Sequence, residues 1–160
     1  MTDIVPHLWY TEKAVEAAAF YASVLPDSRV ESVTAMPTDT PSGPGGSVQL
    51  VEFTLVGRKF MAISAGPHHP FNDAVSFVLL CEDQAEIDRL WAALSAGGQP
   101  GHCGWLKDRY GLSWQIVPAN FGTMMKDPDR VRAKRVADAM LRMRKFDMAA
   151  LKDAYDGAVR

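Results

Sequence analysis

The stretch CGWLKDRYGLSWQIVP, residues 103–118, sets Gln115 inside an apolar strand between Trp114 and Ile116. A glutamine there either reaches into a cleft as a hydrogen-bonding group or is an amide satisfied by neighbouring side-chain or backbone groups. Glu52 interrupts another apolar run, on the same face as Val48, Leu50 and Thr54. It would act as a general base if burial raised its pKa; the alternatives are a pair with Arg58 or Lys59 across a hairpin, or solvent. His68 and His69 have a chemistry that binds metal ions. Neighbours in an extended segment point in opposite directions, however, and a solvent-exposed loop accounts for them. His102 beside Cys103 suggests a thiolate activated by imidazole. Adjacent strand residues rarely meet side chain to side chain, and no Asn or Asp orienter is identifiable. Trp9, Trp105, Trp114 and Phe77 read as core aromatics; any that line a cleft favour a flat or apolar ligand.

The elements that position these residues follow from periodicity. IVPHLWY reads as a strand whose Pro6 suits an edge or a strand start. TEKAVEAAAFYASVL reads as a helix capped by Thr11, with Ala14, Ala18, Tyr21 and Leu25 on one face, ended by Pro26. RVESVTAM, SVQLVEFTLV and KFMAISAG are β-type runs; a loop, PTDTPSGPGG, separates the first two, and a turn at Gly57 joins the last two. The pattern then begins again. AVSFVLLC is a strand, and DQAEIDRLWAALSAGG is a helix with Ile87, Leu90, Trp91 and Leu94 on one face. HCGWLKD and LSWQIVP are further short β-runs. Two helices close the chain, one capped by Asp127 with Pro128 at its first position, the other capped by Asp147. Val136, Ala139, Met140 and Met143 line the former and Met148, Leu151 and Tyr155 the latter, as adaptable core packing.

The 160 residues carry a formal charge of -2, with a pI near 6.1. That balance argues against a nucleic-acid partner. Arg130, Arg132, Lys134, Arg135, Arg142, Arg144 and Lys145 are interspersed with acids and read as a solvated helix face. No run approaches the ~18 apolar residues of a membrane span. The opening MTDIVPHLWY lacks the basic start and apolar run of a secretory signal. Two cysteines, Cys81 and Cys103, make no disulfide framework. A cytoplasmic, reduced protein is the expectation.

Strand, helix and a small group of strands, given twice, make an α+β chain of two βαβββ modules. The motifs HLWY…EAAAFYASVLPDSRV, GSVQLVEFTLVGRKFMAISAGPHHPFNDAVSF, DRLWAALSAGG, CGWLKDRYGLSWQIVP and DPDRVRAKRVADAMLRM resemble the PhnB-like branch of the vicinal oxygen chelate superfamily. That superfamily includes glyoxalases, bleomycin-resistance proteins and extradiol dioxygenases, and the branch is often labelled 3-demethylubiquinone-9 3-methyltransferase. The resemblance runs from Ile4 to the C-terminus. It implies curled sheets around a cleft, with paired modules over 1–122 (the first 4–66, the second 74–118) and a C-terminal helical extension of the same domain over 123–160. It also implies a homodimer, in keeping with modules that cannot bury their apolar sheet faces alone.

Metal-dependent members of the superfamily take ligands, mostly His and Glu, from the first and last strands of each half. Carried over by position, the turn DRYG places Gln115 where a carboxylate would sit, and the first strand of that half offers Ser76. The first half offers His7 or Pro6, depending on a one-residue shift, and Met61, Ala62 or Ile63. Neutral oxygens bring no charge to offset the desolvation of a divalent ion. The expectation is therefore a cleft without metal or cofactor, lined by His7, Trp9, Glu52, Ser76, Trp105 and Gln115 and holding a small-molecule ligand. The alternative is a metal-dependent lyase or dioxygenase, in which an ion polarises vicinal substrate oxygens; a third reading is an interaction module with a vestigial cleft. The methyltransferase label reads as inherited, because no Gly-x-Gly turn follows a strand, and GPGG lies between two β-runs.

Overall fold

Alternation along the first strand decides which side chains meet the first helix. The computed structural model describes residues 2–158. Its strand β1 (His7–Tyr10) turns Leu8 and Tyr10 into the core. Helix α1 (Ala14–Val24) buries Ala14, Ala17, Ala18 and Tyr21. Alanines at that spacing let the helix backbone approach the sheet closely. The Tyr21 and Tyr10 hydroxyls share a hydrogen bond of 3.2 Å, which satisfies two buried polar groups. Strands β2 (Arg29–Ala35), β3 (Gln49–Leu55) and β4 (Arg58–Ser64) follow, in the sheet order β1-β4-β3-β2. Strand β1 runs parallel to β4, and the other pairs are antiparallel. Val51, Phe53, Leu55, Phe60 and Ala62 complete the core under α1; burying each of the larger ones contributes about 2 kcal/mol.

The expected hairpin forms, with Val56 and Gly57 at φ 49° and 71°, the signs that a two-residue type I′ loop requires. Thr11 does not cap α1. The N-cap is Lys13, which makes no side-chain capping bond. The Ala14 amide donates instead to Ser64 Oγ at 2.9 Å, so a neighbouring strand caps the helix.

The second module repeats the topology. It comprises β5 (Phe77–Cys81), α2 (Gln84–Ser95), β6 (Gln99–Pro100), β7 (Trp105–Lys107) and β8 (Ser113–Pro118), ordered β5-β8-β7-β6. Ile87, Leu90 and Leu94 of α2 and Leu106, Trp114 and Ile116 of the sheet are buried. Asp83 caps α2 by accepting from the Glu86 amide at 2.8 Å. The run HCGWLKD is strand only from Trp105, because Cys103 and Gly104 take φ 53° and 81°, a handedness that ends extended pairing.

The C-terminal residues belong to this second unit: the chain divides into Met1–Phe71 and Asn72–Arg160. A short helix, α3 (Phe121–Met125), precedes the two expected ones, α4 (Arg130–Met140) and α5 (Met148–Asp156). Asp129, not Asp127, caps α4, accepting from Val131 and Arg132. Asp127 is occupied elsewhere: it accepts from the Asp129 amide at 2.7 Å and from the Tyr155 hydroxyl. Asp147 caps α5 as expected. Met143 lies beyond α4, and its carbonyl accepts from the Cys103 amide at 2.9 Å. Gln84 clasps the link between α4 and α5, donating to the Phe146 carbonyl at 3.0 Å and accepting from the Met148 amide at 2.8 Å. No described helix is long and apolar enough to cross a membrane.

Candidate functional site

Each sheet has a helix-free face, and the candidate residues fall there. In the first module β1 begins at His7, exposed on the face opposite the buried Leu8 and Tyr10. His7 pairs in register with Met61, and Met61 with Glu52, whereas Ala62 is fully buried on the α1 side. Glu52 faces Ser32 in register and accepts from its hydroxyl at 2.8 Å. The carboxylate is exposed rather than half-buried, and the side chain bonded to it is Ser32, not Arg58 or Lys59.

One row along, Trp9 pairs with Ile63 and Ile63 with Leu50. These side chains floor a cavity of about 460 Å³, with Val48, Met36 and Ala65 at its sides. That volume is the size of a small-molecule site. The Trp9 indole donates to the Gly66 carbonyl at 2.9 Å. His69 stands edge-on to it, centroids 4.7 Å apart and planes at 87°, and His68 lies at 6.3 Å. Both histidines contact the same ring because they lie in a turn, within the exposed loop expected there, and not in an extended segment. Gly66 makes that turn at φ +85°, and a Cβ on it would approach His68 to 3.2 Å.

The glycine- and proline-rich loop supplies the remaining wall through Thr40, Pro41 and Ser42. It is an organised flap. Thr40 and Gly43 exchange backbone hydrogen bonds of 2.8 and 3.1 Å, the Gly46 amide donates to Met36 at 2.7 Å, and the Gly45 amide donates to Asp39 at 2.8 Å. Composition revealed a loop there but not its placement. Sequence reasoning missed His68, His69 and the flap as pocket residues; Gly66 just before the histidines was the available signal for a turn.

In the second module Gln115 pairs in register with Val78 and Trp105. Its amide donates to Ser76 Oγ at 2.9 Å, so this bond is to a side chain and not to the backbone. Ser113 on the same face donates to Asp73 at 2.8 Å, and Lys107 approaches that carboxylate to 3.1 Å. The Ser113 hydroxyl, and after it Lys107, hold the Asp73 carboxyl below its usual range. Trp105, Lys107, Asp73 and Gln99 border a cavity of about 470 Å³. Trp105 and Gln115 thus lie on one sheet, with Ser76 reaching Gln115 from just before β5, and His7, Trp9 and Glu52 lie on the other.

The remaining candidates are held by structural contacts. The Cys103 thiol donates to the Met140 carbonyl at 3.6 Å. Cys81 is fully buried, which pushes its thiol up to about 11. Arg135 donates to the Ala154 and Tyr155 carbonyls at 2.7 and 2.8 Å, Lys134 pairs with Asp138 and Lys145 with Asp88. Among the described residues, no three His, Cys, Asp or Glu side chains are grouped so as to hold a metal ion.

Residues 2–117 match the sequence pattern of the family described as 3-demethylubiquinone-9 3-methyltransferase. No curated protein matches the chain. Among solved structures, the PhnB protein from Bacillus cereus, which bears the same methyltransferase description, is 32% identical, with a TM-score of 0.63, over 74% of this chain and 100% of that one. A protein from Pseudomonas aeruginosa is 24% identical, with a TM-score of 0.56, over 74% and 98%. The fosfomycin resistance protein FosX from Listeria monocytogenes is 12% identical, with a TM-score of 0.57, over 79% and 98%. The last two likenesses are of fold alone.

Proposed function

The chain belongs to the 3-demethylubiquinone-9 3-methyltransferase family, the PhnB-like branch of the vicinal oxygen chelate superfamily, and from that membership we propose that it binds a small molecule against Trp9 without a metal ion. The observation that carries this reading is the fixed indole. Its N–H is tied to Gly66 and its ring is abutted by His69, so it walls the cavity without needing to be ordered by the ligand. Pre-organisation of this kind lowers the cost of binding.

The donor set supports the metal-free part. A mutant FosX of the same fold is known in complex with Mn(II) and a dihydroxypropylphosphonic acid. Here His7 neighbours a thioether in register, and Gln115 is engaged with Ser76. Neutral amide and hydroxyl oxygens do not fit a divalent ion that needs anionic ligands. Methyl transfer from a nucleotide-type donor lacks its cradle as well. The strand-to-helix turns of the two modules, Thr11–Lys13 and Glu82–Asp83, contain no glycine to approach a nucleotide. The rival reading is a metal-dependent lyase or dioxygenase.

The two free thiols support a reducing, cytoplasmic setting. A homodimer is supported by strand β5 at the edge of its sheet, whose helix-free face leaves Val78 and Leu80 49% and 64% exposed.

Titration of the full chain with planar aromatic compounds, followed by Trp9-dependent fluorescence and thermal shift, tests the binding reading. Binding that disappears in Trp9→Ala supports it, and a Trp9→Ala chain that binds equally well overturns it. Metal analysis of the purified chain finding one divalent ion per protein would establish the rival.

A further inference from the structure

We propose that the ligand seated against Trp9 is a planar aromatic acid, its ring laid on the indole and its anionic group held by His68 and His69; this rests on the pocket reading above. Trp9, Ile63 and Leu50 lie side by side on adjacent strands. Strands are about 4.8 Å apart, so this platform is roughly 10 Å across, wide enough for a fused pair of aromatic rings. A flat ring covers such a platform and gains stacking on the indole.

The polar groups are distributed unevenly around that platform. Among the described residues no carboxylate lines the cavity, and the flap's own acid, Asp39, is turned to the Gly45 amide. The imidazole rings of His68 and His69 touch Trp9 through ring contacts. Among the described residues their ring nitrogens have no hydrogen-bond partner, and neither has the Ser42 hydroxyl; all three side chains border the cavity. A rim of unengaged imidazole donors beside an apolar floor, with no acid present, selects an oxygen anion. A cationic ligand finds no counter-charge there, and an apolar one leaves the rim unused.

Calorimetric titration of the full chain with 2-naphthoate, 2-naphthamide and 2-naphthylmethylamine tests this. The three share a ring system and differ in the charge of one substituent. Naphthoate is expected to bind about ten-fold more tightly than the amide, the scale of one charge-assisted hydrogen bond, and the amine least. In the double variant His68→Gln, His69→Gln the acid and the amide are expected to converge to within about two-fold of each other, the ratio of the two affinities being the readout. These histidines are exposed, so the variant folds, and an unchanged melting temperature verifies it. An amide that binds as tightly as the acid, or an acid preference that survives the double variant, overturns the assignment and leaves the pocket at Trp9 standing. If none of the three binds, the pocket reading falls with it.

Discussion

The indole of Trp114 donates to Asp108 Oδ2 at 2.8 Å, tying the turn before β8 to a side chain on that strand. The other carboxylate oxygen accepts from the Tyr110 amide at 2.8 Å and from the Leu112 amide at 3.1 Å. One buried side chain, 3% exposed, therefore holds the turn and anchors it to strand β8 beside Gln115. Asp108→Ala orphans the indole donor and two amides at once. It is expected to cost about 3 kcal/mol, read as a fall in the urea midpoint at unchanged slope.

Gly104 sits where no side chain fits. A Cβ there would lie 2.6 Å from the Ile116 carbonyl oxygen and 2.6 Å from the Phe146 ring, at φ +81°. Gly104→Ala is expected to lower stability by about 3 kcal/mol or more, through strain and displaced packing. Gly122, in helix α3, has nothing within 4 Å. Gly122→Ala is expected to be neutral or stabilising by up to about 1 kcal/mol. Paired denaturation curves separate the two.

Gln84 holds the C-terminal segment through its two amide atoms. Gln84→Ala is expected to cost about 1–2 kcal/mol and to raise amide exchange selectively over α5, while β8 stays protected. Uniform loosening across the second module would show that the clasp is not local.

Asp73 gives an acid-side prediction. Its carboxyl is held low, first by the Ser113 hydroxyl and then by Lys107. A depressed folded pKa contributes stability that is full above the unfolded value, about 3.9, and is lost as the pH falls through the folded value. Asp73→Asn is therefore expected to flatten the loss of melting temperature below about pH 4. The two chains should run parallel through neutral pH.

The apolar edge of the second sheet makes the dimer testable. Leu80→Lys places a charge on a side chain that is 64% exposed. It is expected to turn a dimer into a monomer in sedimentation without lowering the melting temperature of the chain. A native chain that already sediments as a monomer ends the homodimer reading.

The repeated βαβββ order, the Val56–Gly57 hairpin and the Asp147 cap were legible in the sequence, because each depends on neighbours within a few residues. Periodicity also put His7, Trp9, Glu52, Trp105 and Gln115 on strands; Ser76, expected within a strand, lies just before β5. The α1 cap was not legible, since Ser64 comes from fifty residues along the chain. Nor was the α4 cap: Asp127 and Asp129 are equally good capping residues, and the Tyr155 hydroxyl on Asp127 is a long-range contact.

Sequence by itself determined the fold class and the family, because alternation and helical spacing are properties of the chain and motifs are read in order. Only tertiary structure decided who meets whom on the helix-free faces. The partner of Glu52 is Ser32, that of Gln115 is Ser76, and the flap and both histidines come to Trp9. Those pairings depend on register between strands and on a left-handed turn at Gly66, where a shift of one residue would send each side chain to the other face.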